Sequence, residues 1–279
     1  MSVDGRPGGE QPVLRLRDGK MSFGDRTLWS GLDLDVRAGE FLAVLGANGS
    51  GKSTLLKAIL GLRRLDRGSL AIAGQQPRRG SAMIGYIPQE RRLAPPTPLR
   101  ARDLVRLGMD GQRWGPGWGG RAKSERARTL LDSVGAAHLA DKPVHLLSGG
   151  EQQRVRIAQA LATDPRLLLC DEPLLSLDLN HQRAVVSLIQ QRRRTHRTAV
   201  VFVTHEINPV LPYVDRVLYL ADGRFRVGRV DEVMTSSSLS ALYGSTVEVL
   251  RRGDRIIVVG VPDHPEHTHD VDERPADPL

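Results

Sequence analysis

The sequence predicts an α/β fold with three parts: a mainly parallel sheet covered by helices, an antiparallel β edge subdomain, and a helical subdomain. Short apolar runs alternate with helical segments in the second half of the chain, as they do in parallel sheets. Residues 13–36 instead alternate apolar and polar side chains, which is typical of antiparallel strands. Residues 91–147 show mainly helical patterns and therefore predict the third part.

The predicted elements follow one another along the chain. We expect a flexible leader over residues 1–12, one large domain over 13–243 with its helical subdomain at about 91–147, a small β extension over 244–261, and a disordered tail over 262–279. Buried strands are predicted at 41–45, 167–170 and 199–203. Helices are predicted at 52–60, 102–107, 124–134, 151–162 and 181–193.

Composition excludes several classes of protein. With 279 residues and 40% hydrophobic content the chain can bury a large core, yet its longest apolar runs fall far short of the roughly 20 residues that cross a bilayer. The first residues lack the pattern of a secretion signal, so we expect a cytosolic protein. The formal charge of +8 would suit nucleic acid, an acidic membrane surface or anionic small molecules, so on its own it decides little. Because the basic residues are spread along the chain and aromatics make up only 4%, they are interpreted as solvated surface residues, and no nucleic-acid partner is expected. The single cysteine, Cys170, lies in an apolar run and is interpreted as a core residue.

A glycine-rich segment follows the first buried strand and opens a helix. It reads Gly46-Ala47-Asn48-Gly49-Ser50-Gly51-Lys52-Ser53 and fits the phosphate-loop (P-loop) pattern of P-loop NTPase cores. Its backbone N–H groups and the helix N-terminus favour a phosphate, which Lys52 is expected to neutralise, while Ser53 ligates Mg²⁺. The predicted nucleotide ligands here are Gly46, Asn48, Gly49, Ser50, Gly51, Lys52, Ser53 and Thr54. A glycine turn that merely links strand to helix is the alternative.

Two further strands place polar residues at their carboxyl ends. Asp171 and Glu172 follow one strand, and Thr204 and His205 follow the next. Ligands of open parallel sheets bind at that edge, so we expect Asp171 to reach the Mg²⁺ coordination sphere and Glu172 to deprotonate the attacking water. His205 is a candidate sensor of the terminal phosphate. Taken alone, acidic residues after a strand are more often helix caps.

A second helix start that contains glycines indicates the family. The segment Leu147-Ser148-Gly149-Gly150-Glu151-Gln152-Gln153-Arg154 resembles the signature sequence of ATP-binding-cassette (ABC) proteins. Ser148 and Glu151 also form a capping-box pattern, which explains part of the segment but not the two glycines. The resemblance extends over roughly residues 13 to 235, with the family's motifs in the expected order.

The resemblance implies roles for four further positions. Phe23 resembles the aromatic residue that stacks on adenine, and Gln89 resembles the glutamine between core and helical subdomain, with a catalytic and Mg²⁺-binding role. Asp178 resembles a residue of the loop that follows the catalytic carboxylate in the family, and His205 resembles the switch histidine. Two positions depart from the family. Phe23 replaces the common tyrosine and lacks its hydroxyl, and Leu175-Ser176-Leu177-Asp178 replaces Ser-Ala-Leu-Asp, which affects an expected contact between subunits.

The resemblance also implies a mechanism and partners. In the family, the P-loop of one subunit and the signature serine and glycines of another enclose each ATP, so the nucleotide ligands include Ser148, Gly149 and Gly150 of a second copy. The implied state is a homodimer that closes on two Mg·ATP and opens after hydrolysis. Integral membrane permease subunits and an extracytoplasmic solute-binding protein are the further partners implied, with this chain on the inner face of the membrane.

Similarity within the family predicts the cargo. The segments 174–179 and 204–209 are similar to those of ATPase subunits from bacterial zinc or manganese uptake systems. The alternatives are import of a siderophore or other small solute, export, or a soluble ABC ATPase that acts on nucleic acid or ribosomes. His264, His267 and His269 have a spacing suited to a divalent cation, although histidines in a Pro-rich tail are more often merely solvated.

Overall fold

The computed structural model describes residues 11–89, 99–110, 120–175 and 177–260. Residues 1–10 of the expected leader, most of the glycine-rich stretch at 114–120, Ser176 and the histidine-containing tail lie outside these ranges. Within them the chain forms three sheets and seven α-helices.

The central sheet has six strands. They are β3 (Phe41–Gly46), β5 (Ile84–Ile87), β6 (Leu167–Asp171), β7 (Ala199–Val203), β8 (Arg216–Ala221) and β9 (Arg224–Gly228). Their order is β5-β6-β7-β3-β8-β9, and all pairs are parallel except β8 with β9. Every residue of β6 and β7 is buried, because helices or a second sheet cover both faces.

The second sheet is antiparallel, as the sequence predicts. It contains β1 (Leu14–Phe23), β2 (Arg26–Val36) and β4 (Arg67–Ile72) in the order β2-β1-β4. Leu14 lies opposite Val36 and Leu16 opposite Leu34, so the alternating leucines share one face. That face forms a buried cluster with one face of the central sheet and with the first helix.

The helices cover the central sheet on two sides. They are α1 (Lys52–Ile59), α2 (Ala101–Asp110), α3 (Gly120–Ser133), α4 (Gly149–Ala160), α5 (Leu179–His196), α6 (Val230–Val233) and α7 (Ser236–Tyr243). Helix α1 packs in the cluster shared with the antiparallel sheet. The other six contribute to a second cluster on the opposite face, where Cys170 is also buried.

A C-terminal hairpin contains β10 (Glu248–Arg252) and β11 (Arg255–Val259), paired around Gly253-Asp254. The Asn208 side chain donates to the carbonyl of Ile256 and accepts from its N–H, both at 2.9 Å, which attaches the hairpin to the segment after β7. No helix among the described residues is long and apolar enough to cross a membrane.

The structure confirms the three predicted buried strands, the five predicted helices within a few residues, and the predicted antiparallel start. Strands β4, β5, β8 and β9 and helices α6 and α7 were not predicted.

Candidate nucleotide site

Three adjacent strands of the central sheet end at one cavity. Strands β6, β7 and β3 are neighbours, and the segments after their carboxyl ends carry the polar residues that the sequence indicates. A cavity of about 540 Å³ opens there. The predicted site residues that line it are Phe23, Asn48, Gly49, Gly51, Lys52, Ser53, Thr54, Gln89, Glu172 and His205.

The P-loop backbone depends on glycine at two positions. Gly46 has φ 140°, and a Cβ there would lie 2.1 Å from the carbonyl oxygen of Leu220. Gly51, the N-cap of α1, has φ 100°, a conformation that side chains disfavour. The loop therefore curls tightly and ends at the N-terminus of α1, where the first N–H groups lack intrahelical acceptors. Ser50 lies inside the loop, and its hydroxyl is buried with no hydrogen-bond partner among the described residues.

Lys52 is the first residue of α1, and its side chain reaches back to the loop. Its Nζ donates to the carbonyl oxygens of Gly46 at 2.6 Å and Ala47 at 2.9 Å. Burial lowers the pKa of the Lys52 ammonium, while the carboxylates of Glu172 and Asp171 act in the opposite direction. A cation held in a mostly buried position beside exposed N–H groups attracts an anion such as phosphate.

The Glu172 carboxylate is fixed by two neighbours. Its Oε1 lies 2.6 Å from His205 Nε2, and its Oε2 accepts from Gln89 Nε2 at 3.2 Å. The side chain is only 12% exposed, and the residue has φ 49°, a left-handed conformation that is uncommon outside glycine. Glu172 is no helix cap, since α5 begins seven residues later. These contacts hold one carboxylate at the wall of the cavity.

Asp171 lies at the end of β6 and faces a neighbouring cavity of about 640 Å³. Ser53 and Gln89 line both cavities, so the two meet at these residues. The hydroxyl of Tyr86 donates to Asp171 Oδ2 at 3.2 Å. Burial raises the pKa of Asp171, and the Tyr86 hydrogen bond and the nearby lysines 52 and 57 partly offset this.

The aromatic position also lines the cavity. Phe23 ends β1 beside a two-residue turn and is 69% exposed, so its ring is open to a planar ligand. Arg26, the first residue of β2, also lines the cavity and forms an exposed ion pair with Asp222 at 3.3 Å.

The signature residues lie apart from this cavity and do not line it. Ser148 is the N-cap of α4, where its hydroxyl accepts from the Glu151 N–H and the Glu151 carboxylate accepts from the Ser148 N–H, so the predicted capping box is present. Asp178 caps α5 and lies 2.6 Å from His181 Nδ1. A Cβ on Gly150 would lie 2.3 Å from the His181 ring, so the two helix starts touch.

Tyr86 and Arg26 also lie at the site, although no sequence motif indicates them. Tyr86 lies on β5, a strand that was not predicted, and Arg26 lies in a hairpin whose tip has no motif of its own. The pairing of β5 with β6 places Tyr86 opposite Leu169, two residues before Asp171, and from there its hydroxyl reaches the Asp171 carboxylate.

Comparison with known proteins identifies the family. The model of the ABC transporter family matches residues 29–175. The zinc import ATP-binding protein ZnuC of Marinobacter nauticus is 35% identical over 236 residues, which cover 85% of each chain. Among solved structures, an ABC transporter described as metal-chelate type, in an inward-facing conformation, is 28% identical with a TM-score of 0.76, over 89% of this chain and 96% of that one. A bacterial ABC transporter cassette solved as a dimer is 29% identical with a TM-score of 0.67, over 78% of this chain and 98% of that one. The chain therefore belongs to the ABC transporter family, and it is an ATPase of that family.

Proposed function

We propose that this chain hydrolyses ATP at the P-loop cavity to energise import of a divalent metal ion, zinc or manganese, through a separate membrane permease. The observation that supports the site is the position of Glu172, whose carboxylate is fixed by His205 and Gln89 at the wall of a cavity that Lys52 also lines. A carboxylate held in this way beside a phosphate-binding loop suits activation of a water.

The phosphate groups of ATP would occupy the P-loop end of the cavity. The N–H groups at the start of α1 would bind phosphate oxygens, and Lys52 would exchange its two loop carbonyls for the outer phosphates. The adenine ring would stack on the exposed face of Phe23. The site therefore fits a nucleoside triphosphate along its length.

The residues present also fit Mg²⁺. Ser53 offers a hydroxyl, Asp171 a carboxylate, and Gln89 an amide oxygen while its nitrogen bonds Glu172. These are hard oxygen ligands, and Mg²⁺ commonly takes one or two carboxylates and completes its shell with water and substrate phosphates. Among the described residues, no group of three or more His, Cys, Asp or Glu side chains could hold a metal alone. Bound there, Mg²⁺ would neutralise charge on the phosphates.

Hydrolysis would begin with Glu172. Its carboxylate would accept a proton from the attacking water as the water oxygen bonds to the terminal phosphorus and the bond to the ADP oxygen breaks. His205 and Gln89 would keep the carboxylate oriented, and His205 would contact the terminal phosphate. Lys52 would stabilise the charge that develops on the phosphate oxygens.

A second copy would complete each site. Ser148, Gly149, Gly150 and Asp178 do not line the cavity of their own chain, yet Ser148 and Gly149 are exposed at the N-terminus of the 12-residue helix α4. Such an end attracts anions, so it suits the terminal phosphate of an ATP bound by a partner. The related cassette solved as a dimer supports this arrangement.

The names of related proteins support the proposed cargo. The protein from Marinobacter nauticus is named for zinc import, and the sequence segments 174–179 and 204–209 favour the same class. The structural similarity to a metal-chelate type transporter keeps a chelated metal as the second candidate. The chain would sit at the inner membrane face through its permease, with a solute-binding protein outside.

Metal uptake by cells that depend on this chain tests the proposal. The cells carry either the wild-type chain or Glu172→Gln, grow under zinc limitation, and are offered labelled zinc, manganese or an iron–siderophore complex. We expect zinc or manganese uptake with the wild-type chain alone. Uptake of the siderophore complex alone would favour the second candidate, and uptake that is equal in both strains would refute the role of Glu172.

Purified protein tests the ATPase separately. We expect turnover that requires Mg²⁺, rises more than linearly with protein concentration, and is lost in Glu172→Gln while that variant still binds ATP. Turnover that is strictly proportional to protein concentration would contradict the composite site.

A further inference from the structure

We infer that Arg63 is a positioning residue for the adenine-binding ring: it holds Phe23 in place and ties that ring to the P-loop helix. The inference rests on the proposed nucleotide site. It concerns a residue that does not line the cavity and belongs to none of the motifs.

The contact consists of two parts. The Arg63 guanidinium carbon lies 5.7 Å from the centroid of the Phe23 ring, within the range of a cation–π interaction. The same guanidinium donates through Nη2 to the carbonyl oxygen of Ser22, the residue before Phe23. One side chain therefore holds both the ring and the backbone that carries it.

The position of Phe23 makes such support useful. The residue is 69% exposed, at the end of β1 beside the turn at Gly24 and Asp25. It also lacks the hydroxyl through which a tyrosine could be held. A ring that must be ordered when ATP binds loses rotational freedom at that moment, and a contact that orders it beforehand reduces this loss.

Arg63 is itself fixed relative to the phosphate end of the site. The N–H groups of Leu62 and Arg63 both donate to the carbonyl of Lys57, at 2.8 and 3.2 Å, in the last turn of α1. The eight residues of α1 span about 12 Å at 1.5 Å per residue. Because this helix begins at the P-loop and Arg63 follows its end, the helix sets the distance between the phosphate-binding backbone and the stacking ring.

The experiment measures the dissociation constants of ATP and of inorganic tripolyphosphate, which has no base, for the wild-type chain, Arg63→Ala and Arg64→Ala. Arg64 is exposed and adjacent, so its substitution matches the charge change. We expect Arg63→Ala to weaken ATP binding three- to fivefold, about 0.7–1 kcal/mol at 1.4 kcal/mol per tenfold change, and to raise KM with kcat unchanged. Tripolyphosphate binding should change equally in both variants.

A double-mutant cycle with Phe23→Ala gives the second readout. If Arg63 acts through the ring, Arg63→Ala has no further effect on ATP binding once Phe23 is removed. Equal weakening of ATP and tripolyphosphate by Arg63→Ala alone, or a full additional loss in the Phe23→Ala background, would overturn the inference. Failure of the wild-type chain to bind ATP would instead refute the proposed function.

Discussion

The cavity half and the signature half of the candidate site are built differently. In the cavity half, residues from β3, β6, β7 and the segment after β5 meet within one chain, and Glu172 contacts two other predicted site residues, His205 and Gln89. In the signature half, Ser148 and Asp178 make their side-chain contacts with their own helix starts, through Glu151 and His181. The first half is a convergent pocket, and the second is a pair of capped helix ends.

The difference shows what each half lacks. The cavity half has the proposed base Glu172, a cation and oxygen ligands, and the described residues that line it include none of the signature segment. The signature half has an exposed helix N-terminus, but Ser148 and Gly149 do not line the cavity of their own chain. Each supplies what the other lacks, and this complementarity is the physical argument for a dimer with composite sites.

We expect the largest effect from two variants that each disrupt a different half of the site and are then mixed. Glu172→Gln removes the base and should lower kcat by about 10²–10⁴-fold. Ser148→Ala removes the signature hydroxyl and should also impair turnover. When the two variants are mixed, each mixed dimer has one site with both defects and one intact site, so random pairing should restore about a quarter of wild-type turnover. ATPase activity of the mixture against that of each variant alone measures this.

The control is a mixture of the Glu172→Gln variant with the Lys52→Ala variant, each on its own chain. Both defects then lie in the cavity half, so no mixed dimer has an intact site and turnover should stay low. Absence of restoration in the first mixture would show that the two halves act within one chain. Restoration in the control would show that Glu172 and Lys52 do not act in the same site.

Glycine-to-alanine substitutions in the two halves should lower the free energy of unfolding by different amounts. A Cβ at Gly46 would lie 2.1 Å from a backbone oxygen of β8, and that oxygen cannot move without moving the strand. We therefore expect Gly46→Ala to lower the free energy of unfolding by about 3 kcal/mol or more. A Cβ at Gly150 meets the His181 ring, a side chain able to turn away once it gives up its contact with Asp178. Since that contact is exposed, we expect Gly150→Ala to cost about 1 kcal/mol or less. Urea unfolding measures both.

His181→Ala tests the cause of the second effect. In the Gly150→Ala background, His181→Ala should lower the free energy of unfolding little further, because the ring that the new Cβ meets is gone. Full additivity of the two substitutions would mean that the obstacle at Gly150 is elsewhere.

How much of the fold was predictable depended on burial. Strands β3, β6 and β7 are buried on both faces and therefore read as continuous apolar runs. Strands β4 and β9 have one buried residue between them and contain Arg, Gly or Ser, so their local pattern resembles a loop. Strand β8 has an apolar run like that of β3, so its signal was present in the sequence and was overlooked.

The candidate site was predictable where a motif occupies a strand end. The P-loop, Asp171, Glu172 and His205 follow from this rule, because parallel strands end at one edge. Tyr86 and Arg63 depend instead on which strand lies beside β6 and on where α1 stops relative to a distant hairpin. Such contacts between elements leave no local pattern in the sequence.

The smallest expected effect concerns Tyr86, which supports the cavity half from β5. Its hydroxyl donates to ionised Asp171 and so opposes the rise in the pKa of that carboxyl that burial causes. Tyr86→Phe should raise that pKa further, so Asp171 takes up its proton at a higher pH as the solution is acidified. Since the proposed Mg²⁺ site requires the ionised carboxylate, the acidic limb of the ATPase pH profile should move to higher pH, with turnover at the plateau little changed. Tyr243→Phe, which removes a phenol hydrogen bond to Tyr219 and not to Asp171, is the matched control. An unchanged acidic limb in Tyr86→Phe, or an equal shift in both variants, would mean that protonation of Asp171 does not limit activity at low pH.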